Sequence, residues 1–228
     1  MAHLKKTVMP KTWPVPRKGK GKRFVAVPSH GTSKGISLLF LLRDVLGIAK
    51  TRKEVRYMTL NGMVKINNKA RTDENFPVNV LDVVSLCAQI ADRKSQVADL
   101  FYRLEIVNKK FNLIEIEAKD ADSKVVKIVG KKIISGGKVQ MNLMDGQNFL
   151  SDVKFSVGDS VVIDTKKDVI SKVLGLKKGA KVEVIAGKHA GENGELIGFE
   201  DLTRGRNYEI KLESGTVSLP YKTILVIE

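Results

Sequence analysis

The chain of 228 residues has one cysteine and no long apolar run, and these two shortages exclude disulfide-stabilised and membrane-spanning proteins. Its single cysteine, Cys87, cannot form an internal disulfide, and the apolar run around it favours a small buried thiol. No run of about 18 apolar residues occurs, so no transmembrane helix is expected. Charges and prolines occupy the first 24 residues, where a secretory signal needs an apolar run. These shortages indicate a cytosolic chain.

The sequence also lacks the motifs of catalysis and of cofactor binding. It has no Walker-type phosphate loop, dinucleotide fingerprint, HExxH or CxxC motif, and His3, His30 and His189 have no ligand-like neighbours. The segment 31–35 fits the G-x-S-x-G nucleophile pattern, but it lacks the strand and histidine context of a hydrolase. It is better interpreted as a phosphate-binding approach to a helix N-terminus. We therefore expect no enzyme, no cofactor and no small-molecule substrate.

A cluster of acidic residues offers the one candidate for a metal or acid–base site. These residues alternate outward on a predicted strand and then enter a turn, which is typical of a solvated surface. The cluster consists of Glu115, Glu117, Asp120 and Asp122. We expect no metal site there.

Acidic residues are absent from the first 43 positions, whereas ten lysines and arginines lie there. Two-thirds of the formal net charge of +15 is thus concentrated in less than a fifth of the chain. A segment so strongly self-repelling, and interrupted by four prolines, is not expected to fold around its own core. It indicates a polyanionic partner, either a nucleic acid or an acidic membrane surface.

Two helices and a small sheet are predicted after this arm. Apolar residues at helical spacing predict a first helix from Ile36 to Leu46, ended by Gly47. Thr51 and Glu54 form a capping-box pattern that predicts a second helix to about Leu60. Turns at 61–62 and 67–68 bracket a strand at 64–66, and 76–86 is a further extended stretch.

Residues from about 101 onward favour an all-β structure. Short apolar runs are separated by Gly, Asp and Asn turns, and the helical period is lost. A sequence pattern of a glycine-containing turn followed by a strand occurs at 155–163 and again at 176–184. The recurrence indicates a shared turn geometry and two successive small barrels.

The second predicted helix has a cationic face. Arg52, Lys53 and Arg56 fall within about a third of its circumference. A solvated helix face is the ordinary alternative. However, the sequences at 38–55, 61–67 and 80–86 resemble the small RNA-binding domain of ribosomal protein S-four, pseudouridine synthases and tyrosyl-tRNA synthetases. The resemblance implies RNA contacts at Lys50 and Thr51 as well as at the three cations.

Near the C-terminus, the segment 178–197 resembles the KOW motif of ribosomal and transcription-elongation proteins. The pattern predicts a strand, a glycine-rich turn and a return strand, with Lys188 and His189 presented to phosphates. The alternative is a plain hairpin in a small barrel. Arg204 and Arg206, on either side of Gly205, form a second basic loop tip.

Taken in order, these segments resemble the small-subunit ribosomal protein family S-four-e, of archaeal and eukaryotic type, and an archaeal member is expected. The resemblance implies an α+β multidomain fold, with a basic arm (1–35), a helix-helix-sheet RNA-binding domain (36–94), a central β-domain (95–171) and an SH3-like KOW β-barrel (172–228). It implies a structural component of the 30S subunit, cytoplasmic and in the ribosome, with small-subunit ribosomal RNA and neighbouring ribosomal proteins as partners and no membrane partner.

The alternatives are a non-ribosomal RNA-binding protein, an RNA-modifying enzyme targeted by its S-four-type module, and a KOW-type elongation factor. The enzyme is disfavoured because residues 95–171 are too short for a catalytic domain and contain no cofactor loop. The elongation factor does not account for the N-terminal arm and the helix pair. Trp13 and Phe24 are expected either to stack on exposed bases or to pin the arm to the chain's own domains. The candidate RNA-binding residues are Lys5, Lys6, Lys11, Trp13, Arg17, Lys18, Lys20, Lys22, Arg23, Lys34, Arg43, Lys50, Thr51, Arg52, Lys53, Arg56, Lys65, Lys69, Arg71, Gly187, Lys188, His189, Arg204 and Arg206.

Overall fold

The structure, a computed structural model, describes residues 3–19, 23–30, 35–87, 99–151, 153–203 and 205–227. It divides into two compact units, Met1–Asp122 (unit 1) and Ser123–Glu228 (unit 2). The described residues are mostly β-strand with few helices. No helix among them is long and apolar enough to span a membrane.

The N-terminal arm is anchored inside unit 1. Strand β1 (Leu4–Lys5) pairs antiparallel with β2 (Phe24–Val25). Met9 and Trp13 are each only 1% exposed, and the Trp13 ring lies 6.0 Å from the Phe40 ring, centre to centre. In its described residues the arm has no core of its own, as expected, but its apolar residues pack against the rest of unit 1, so a polyanion is not needed to hold it there.

The first helical segment is shorter and less regular than expected. Residues Gly35–Ser37 form strand β3, which pairs with β6 (Pro77–Asn79), and helix α1 spans only Leu38–Phe40. A π-helix at Leu41–Val45 follows, with the Leu46 N–H donating to the Leu41 carbonyl at 2.9 Å. The predicted start at Ile36 is corrected, since that residue hydrogen-bonds in a sheet with a strand about forty residues away.

Helix α2 (Arg52–Leu60) confirms the prediction from the capping box. The Thr51 hydroxyl accepts from the Glu54 N–H at 3.3 Å, and the Glu54 carboxylate accepts from the Thr51 N–H at 3.4 Å and the Lys50 N–H at 2.7 Å. The bond from the Lys50 backbone is the main reason why the pKa of Glu54 is lowered. Val55 and Met58 are buried beneath the helix.

The sheet of unit 1 has the strand order β5-β4-β7-β8-β9 and is antiparallel throughout. Its strands are β4 (Val64–Ile66), β5 (Lys69–Ala70), β7 (Val83–Leu86), β8 (Leu100–Val107) and β9 (Lys110–Ile116). The predicted turn at 67–68 has positive φ angles of 50° and 63°. Strands β8 and β9, which we expected in a separate domain from residue 95, pair instead with the strands of the preceding segment.

Unit 2 contains two five-stranded antiparallel sheets. A 3₁₀ turn at Asp120–Asp122 precedes the first, whose order is β12-β11-β10-β13-β14. Its strands are β10 (Ser123–Ile133), β11 (Val139–Leu143), β12 (Asn148–Ser151), β13 (Ser160–Asp164) and β14 (Val169–Leu174). Ile128, Met141 and Val161 form the centre of its core. Strand β14 runs across the boundary expected at 171/172.

The second sheet has the order β18-β17-β16-β15-β19. Its strands are β15 (Lys181–Val184), β16 (Asn193–Leu202), β17 (Gly205–Leu212), β18 (Gly215–Pro220) and β19 (Ile224–Val226), with a 3₁₀ turn at Tyr221–Thr223. Val182, Leu196 and Ile210 are buried in its core, where Leu174 of the first sheet joins them. Gly158 and Gly179, the turn glycines of the pattern that recurs at 155–163 and 176–184, both have positive φ angles, of 106° and 83°.

Candidate nucleic-acid interface

Helix α2 separates its charged and apolar residues as the sequence predicts. Lys53 and Arg56 are exposed, and Val55, Met58 and Thr59 are buried on the opposite side. Lys50 precedes the helix, and Lys65 faces outward on β4 between buried neighbours. Ion pairs at this surface, among the described residues, involve Arg43 and Arg52, which leaves Lys53, Arg56 and Lys65 open to a polyanion.

Sequence reasoning missed Tyr57 on the same surface. Its side chain is 63% exposed, one helical turn beyond Lys53 and next to Arg56. An exposed aromatic ring between cations is the arrangement that stacks on unpaired bases. The signal was available in the sequence, since Tyr57 follows Lys53 at a spacing of four residues.

Arg52 has a structural role that the sequence did not reveal. Its Nε donates to Glu74 Oε1 at 2.6 Å, and a terminal guanidinium nitrogen also pairs with that oxygen. Glu74 is only 8% exposed, so its carboxylate depends on this partner. Arg52, which the sequence predicts as an RNA contact, therefore also joins the start of α2 to the loop before β6.

Arg52→Ala is expected to lower the unfolding free energy of the chain by about 1–3 kcal/mol, because it leaves a buried carboxylate without its partner. Trp13, the single tryptophan and buried in unit 1, reports the transition by fluorescence during urea unfolding. Arg56→Ala is the matched control, since this exposed arginine makes no such pair, and it should unfold like the parent chain. Equal midpoints for the two variants would contradict the role of the ion pair.

Trp13 is not placed to bind RNA. At 1% exposure its ring packs against the chain's own core, so the prediction of base stacking is wrong and the alternative of a pinned arm is correct for this residue. Phe24, by contrast, is 48% exposed. The burial of Trp13 depends on packing against Phe40, which local sequence does not reveal.

The other basic residues of the arm differ in exposure. Lys5, Lys11, Lys18 and Arg23 are exposed and Lys6 is half-buried. Arg17 is half-buried and donates to the Thr7 carbonyl at 2.7 Å. Lys20, Lys22, Lys34 and Arg204 lie outside the described residues, as does most of the 31–35 pattern.

Three further cations of unit 1 make contacts within the unit. Arg43 pairs with Asp44 at 2.6 Å, and the Arg71 guanidinium lies 4.5 Å from the centre of the Phe76 ring. Lys69 is half-buried and has a partner of its own. Each of these side chains thus has a partner within the unit, whereas the described residues include none for Lys53 or Arg56.

The turn between β15 and β16 presents Gly187 and Lys188 to solvent. Gly187 has a φ of +100°, as the sequence suggested. His189 is half-buried, and its Nδ1 lies 3.2 Å from Glu192 Oε1, while the Ser214 hydroxyl donates to Glu192 Oε2 at 2.6 Å. Glu192 therefore ties the turn to the β17–β18 connection, and the Lys188 side chain is more available to a phosphate than that of His189.

The tip of the β16–β17 hairpin combines a cation with an aromatic ring. Arg206 Nε donates to Asp201 Oδ1 at 2.5 Å, and its guanidinium lies 4.3 Å from the centre of the Phe199 ring. The hydrogen bond to Asp201 raises the pKa of Arg206. Phe199 was not anticipated, although it is 46% exposed.

No group of three or more His, Cys, Asp or Glu residues in the described part of the chain could hold a metal ion. The acidic cluster is divided between strand and turn: Glu115 and Glu117 are exposed, and Asp120 begins the 3₁₀ turn. This arrangement agrees with a solvated surface.

A model of ribosomal family S4e matches residues 99–170. The small ribosomal subunit protein eS4 of Pyrobaculum aerophilum is 32% identical over 222 residues, 94% of this chain and 90% of the relative. The eS4 protein of Haloarcula marismortui is 36% identical over 198 residues, 85% and 80% of the two chains.

A solved structure supports the fold. The crystal structure of the 30S ribosomal protein S4e from Thermoplasma acidophilum superposes with a TM-score of 0.70 and 23% identity, over 86% of this chain and 95% of that one. The sequence relatives carry the family assignment, and they confirm the resemblance stated from the motifs. This chain belongs to the ribosomal family S4e.

Proposed function

We propose that this chain holds small-subunit ribosomal RNA through a cationic surface around helix α2, assisted by the exposed cations of the arm and by the turn at 187–188. As a member of its family it is a structural component of the small ribosomal subunit, cytoplasmic and not an enzyme. The alternatives of a non-ribosomal RNA-binding protein, a modifying enzyme or an elongation factor are not favoured. Neighbouring ribosomal proteins are the further partners that this role implies.

The observation that carries the proposal is the open cationic face of α2. Lys53 and Arg56 are exposed beside Lys50 and Lys65, on a helix whose position is fixed by its capping box and by buried Val55. Exposed cations held on a rigid element position phosphates without reading the base sequence. Tyr57 adds an exposed ring to the same surface.

The arm and the turn at 187–188 supply further contacts. The arm residues Lys5, Lys11, Lys18 and Arg23 are exposed, and Lys188 is exposed in the turn that resembles a KOW motif. Each surface is a modest binder by itself, but on one chain each raises the effective concentration of the others. The SH3-like barrel and the RNA contact of its turn are part of this proposal.

Lys53→Gln with Arg56→Gln is expected to weaken binding of small-subunit ribosomal RNA without lowering stability. For every phosphate that the variant no longer neutralises, the plot of log affinity against log salt should flatten by roughly 0.7 to 0.9. The measurement is filter binding or fluorescence anisotropy between low and moderate salt. Lys166→Gln with Lys167→Gln removes the same charge from an exposed turn of unit 2 and should leave the slope nearly unchanged. An unaltered slope in the α2 variant would disprove the proposed surface.

A further inference from the structure

A cleft of about 530 Å³ lies in unit 1, between the extended segment 24–29 and the helical residues of the RNA-binding region. Its lining includes Phe24, Leu39, Arg43, Arg52 and Asn75. The volume is in the roughly 300–1,000 Å³ range of small-ligand sites. Two arginines and an exposed aromatic ring thus face one concave space.

The two arginines are held in place by carboxylates. Arg43 directs Nε and one terminal nitrogen at Asp44 Oδ2, at 3.1 and 2.6 Å, and Arg52 does the same to Glu74 Oε1. A guanidinium has five N–H donors, so the second terminal nitrogen of each stays available to a ligand. Arginines fixed in this way lose little entropy on binding a phosphate, whose oxygens suit their geometry.

Phe24 offers a surface for a base. It is 48% exposed and stands in strand β2, so the short β1–β2 ladder fixes its position. His3 packs edge to face against the ring, with the ring centres 4.9 Å apart. An exposed ring close to anion-binding side chains is the combination that holds a nucleotide, since the phosphate and the base each need a partner.

We propose that this cleft binds one unpaired nucleotide of an RNA strand, with its phosphate on Arg43 and Arg52 and its base on Phe24. The inference rests on the proposed function for its RNA partner, and it adds a concave site for a single nucleotide to the open surface around helix α2. A free nucleoside 5′-phosphate has the same chemistry, and the test below separates the two sources.

The test uses the full chain and a single-stranded RNA pentanucleotide with 2-aminopurine at its centre, followed by fluorescence. The parent chain should bind it and change its emission. Arg43→Gln and Phe24→Leu should each weaken binding by about tenfold, because they remove a phosphate ligand and a stacking surface. Lys119→Gln, which removes an exposed charge outside the cleft lining, should weaken it less than twofold. Equal affinities for all four proteins would overturn the inference.

Uridine 5′-monophosphate is the second probe. It should bind far more weakly than the pentanucleotide, and equal affinity would overturn the assignment to an RNA strand in favour of a free nucleotide. The salt dependence of ribosomal RNA binding separates the two proposals. If the cleft variants bind the pentanucleotide like the parent while the Lys53/Arg56 variant still shows a flatter slope, the cleft inference alone fails. If the cleft variants bind the pentanucleotide more weakly while the Lys53/Arg56 variant keeps the salt slope of the parent, the cleft inference is supported and the proposed surface around α2 is disproved.

Discussion

Gly194→Val is expected to destabilise the chain severely, by about 3 kcal/mol or more, because there is no room for a side chain at this position. A Cβ atom there would lie 2.6 Å from the Lys211 carbonyl oxygen, 2.7 Å from Ile210 Cγ2 and 2.8 Å from Leu212 Cδ2. Gly194 pairs with Val182 on one side and with Leu212 on the other, so the backbone cannot move away from the added atoms. The measurement is thermal unfolding of the full chain followed by circular dichroism.

Two other glycines show why position matters. Gly198→Ala, four residues along the same strand, is the matched control, since a Cβ there meets only Glu209 Oε2 at 3.5 Å. Gly187→Ala should lower the unfolding free energy by about 1–2 kcal/mol. The cause is the φ of +100° at this position and not crowding, since nothing lies within 4 Å of the Cβ position. If Gly194→Val and Gly198→Ala unfold at the same temperature, the crowding argument is wrong.

Lys188→Ala should unfold like the parent chain while binding RNA more weakly.

A single lysine of unit 2, Lys127, is expected to make a contribution to the unfolding free energy that rises between pH 8 and about 10.5. Lys127 is 2% exposed, and its ammonium group donates to the Tyr221 and Ile224 carbonyls. Burial lowers its pKa from 10.5 to about 8. In this window the unfolded chain keeps the proton and the folded chain has released it, so unfolding takes up a proton and raising the pH favours the folded state.

The contribution of Lys127 to the unfolding free energy should increase by on the order of 1 kcal/mol per pH unit. The increase stops once Lys127 releases its proton in the unfolded chain as well. Below pH 8 both states are protonated, and Lys127 contributes no pH dependence. Urea unfolding of the parent and of Lys127→Met at pH 7, 8, 9 and 10 isolates the effect, because the other titrating groups are shared. Lys138→Met, at an exposed position, should keep the rise. If the unfolding free energy of Lys127→Met rises with pH as steeply as that of the parent, Lys127 is not the cause of the rise.

Much of the family assignment and of the local structure could be predicted because their causes are local in sequence. The capping box at Thr51 and Glu54 involves residues three apart, and helix α2 follows it as expected. The Asn67–Asn68 turn and the strand at 64–66 depend on similarly short spacings. The exposed Lys53 and Arg56 follow from the helical period and the burial of Val55.

What the sequence did not reveal depends on partners far away along the chain. Ile36 begins a strand because of Val78, and Trp13 is buried because of Phe40. Arg52 gains a structural role from Glu74, which lies 22 residues later. The local sequence around each of these residues is compatible with two structures, and contacts with residues distant in sequence determine which one forms.

The sequence by itself determined the excess of positive charge, the capped helix, the β-rich C-terminal half and the family motifs, since composition and short-range spacing specify them. Only the tertiary structure decided that strands 100–107 and 110–116 join the sheet of unit 1. It alone placed Arg43, Arg52 and Phe24 around one cleft and closed the space around Gly194. The physical reason is that burial, ion pairing and steric crowding are properties of neighbours in space, which a linear pattern does not contain.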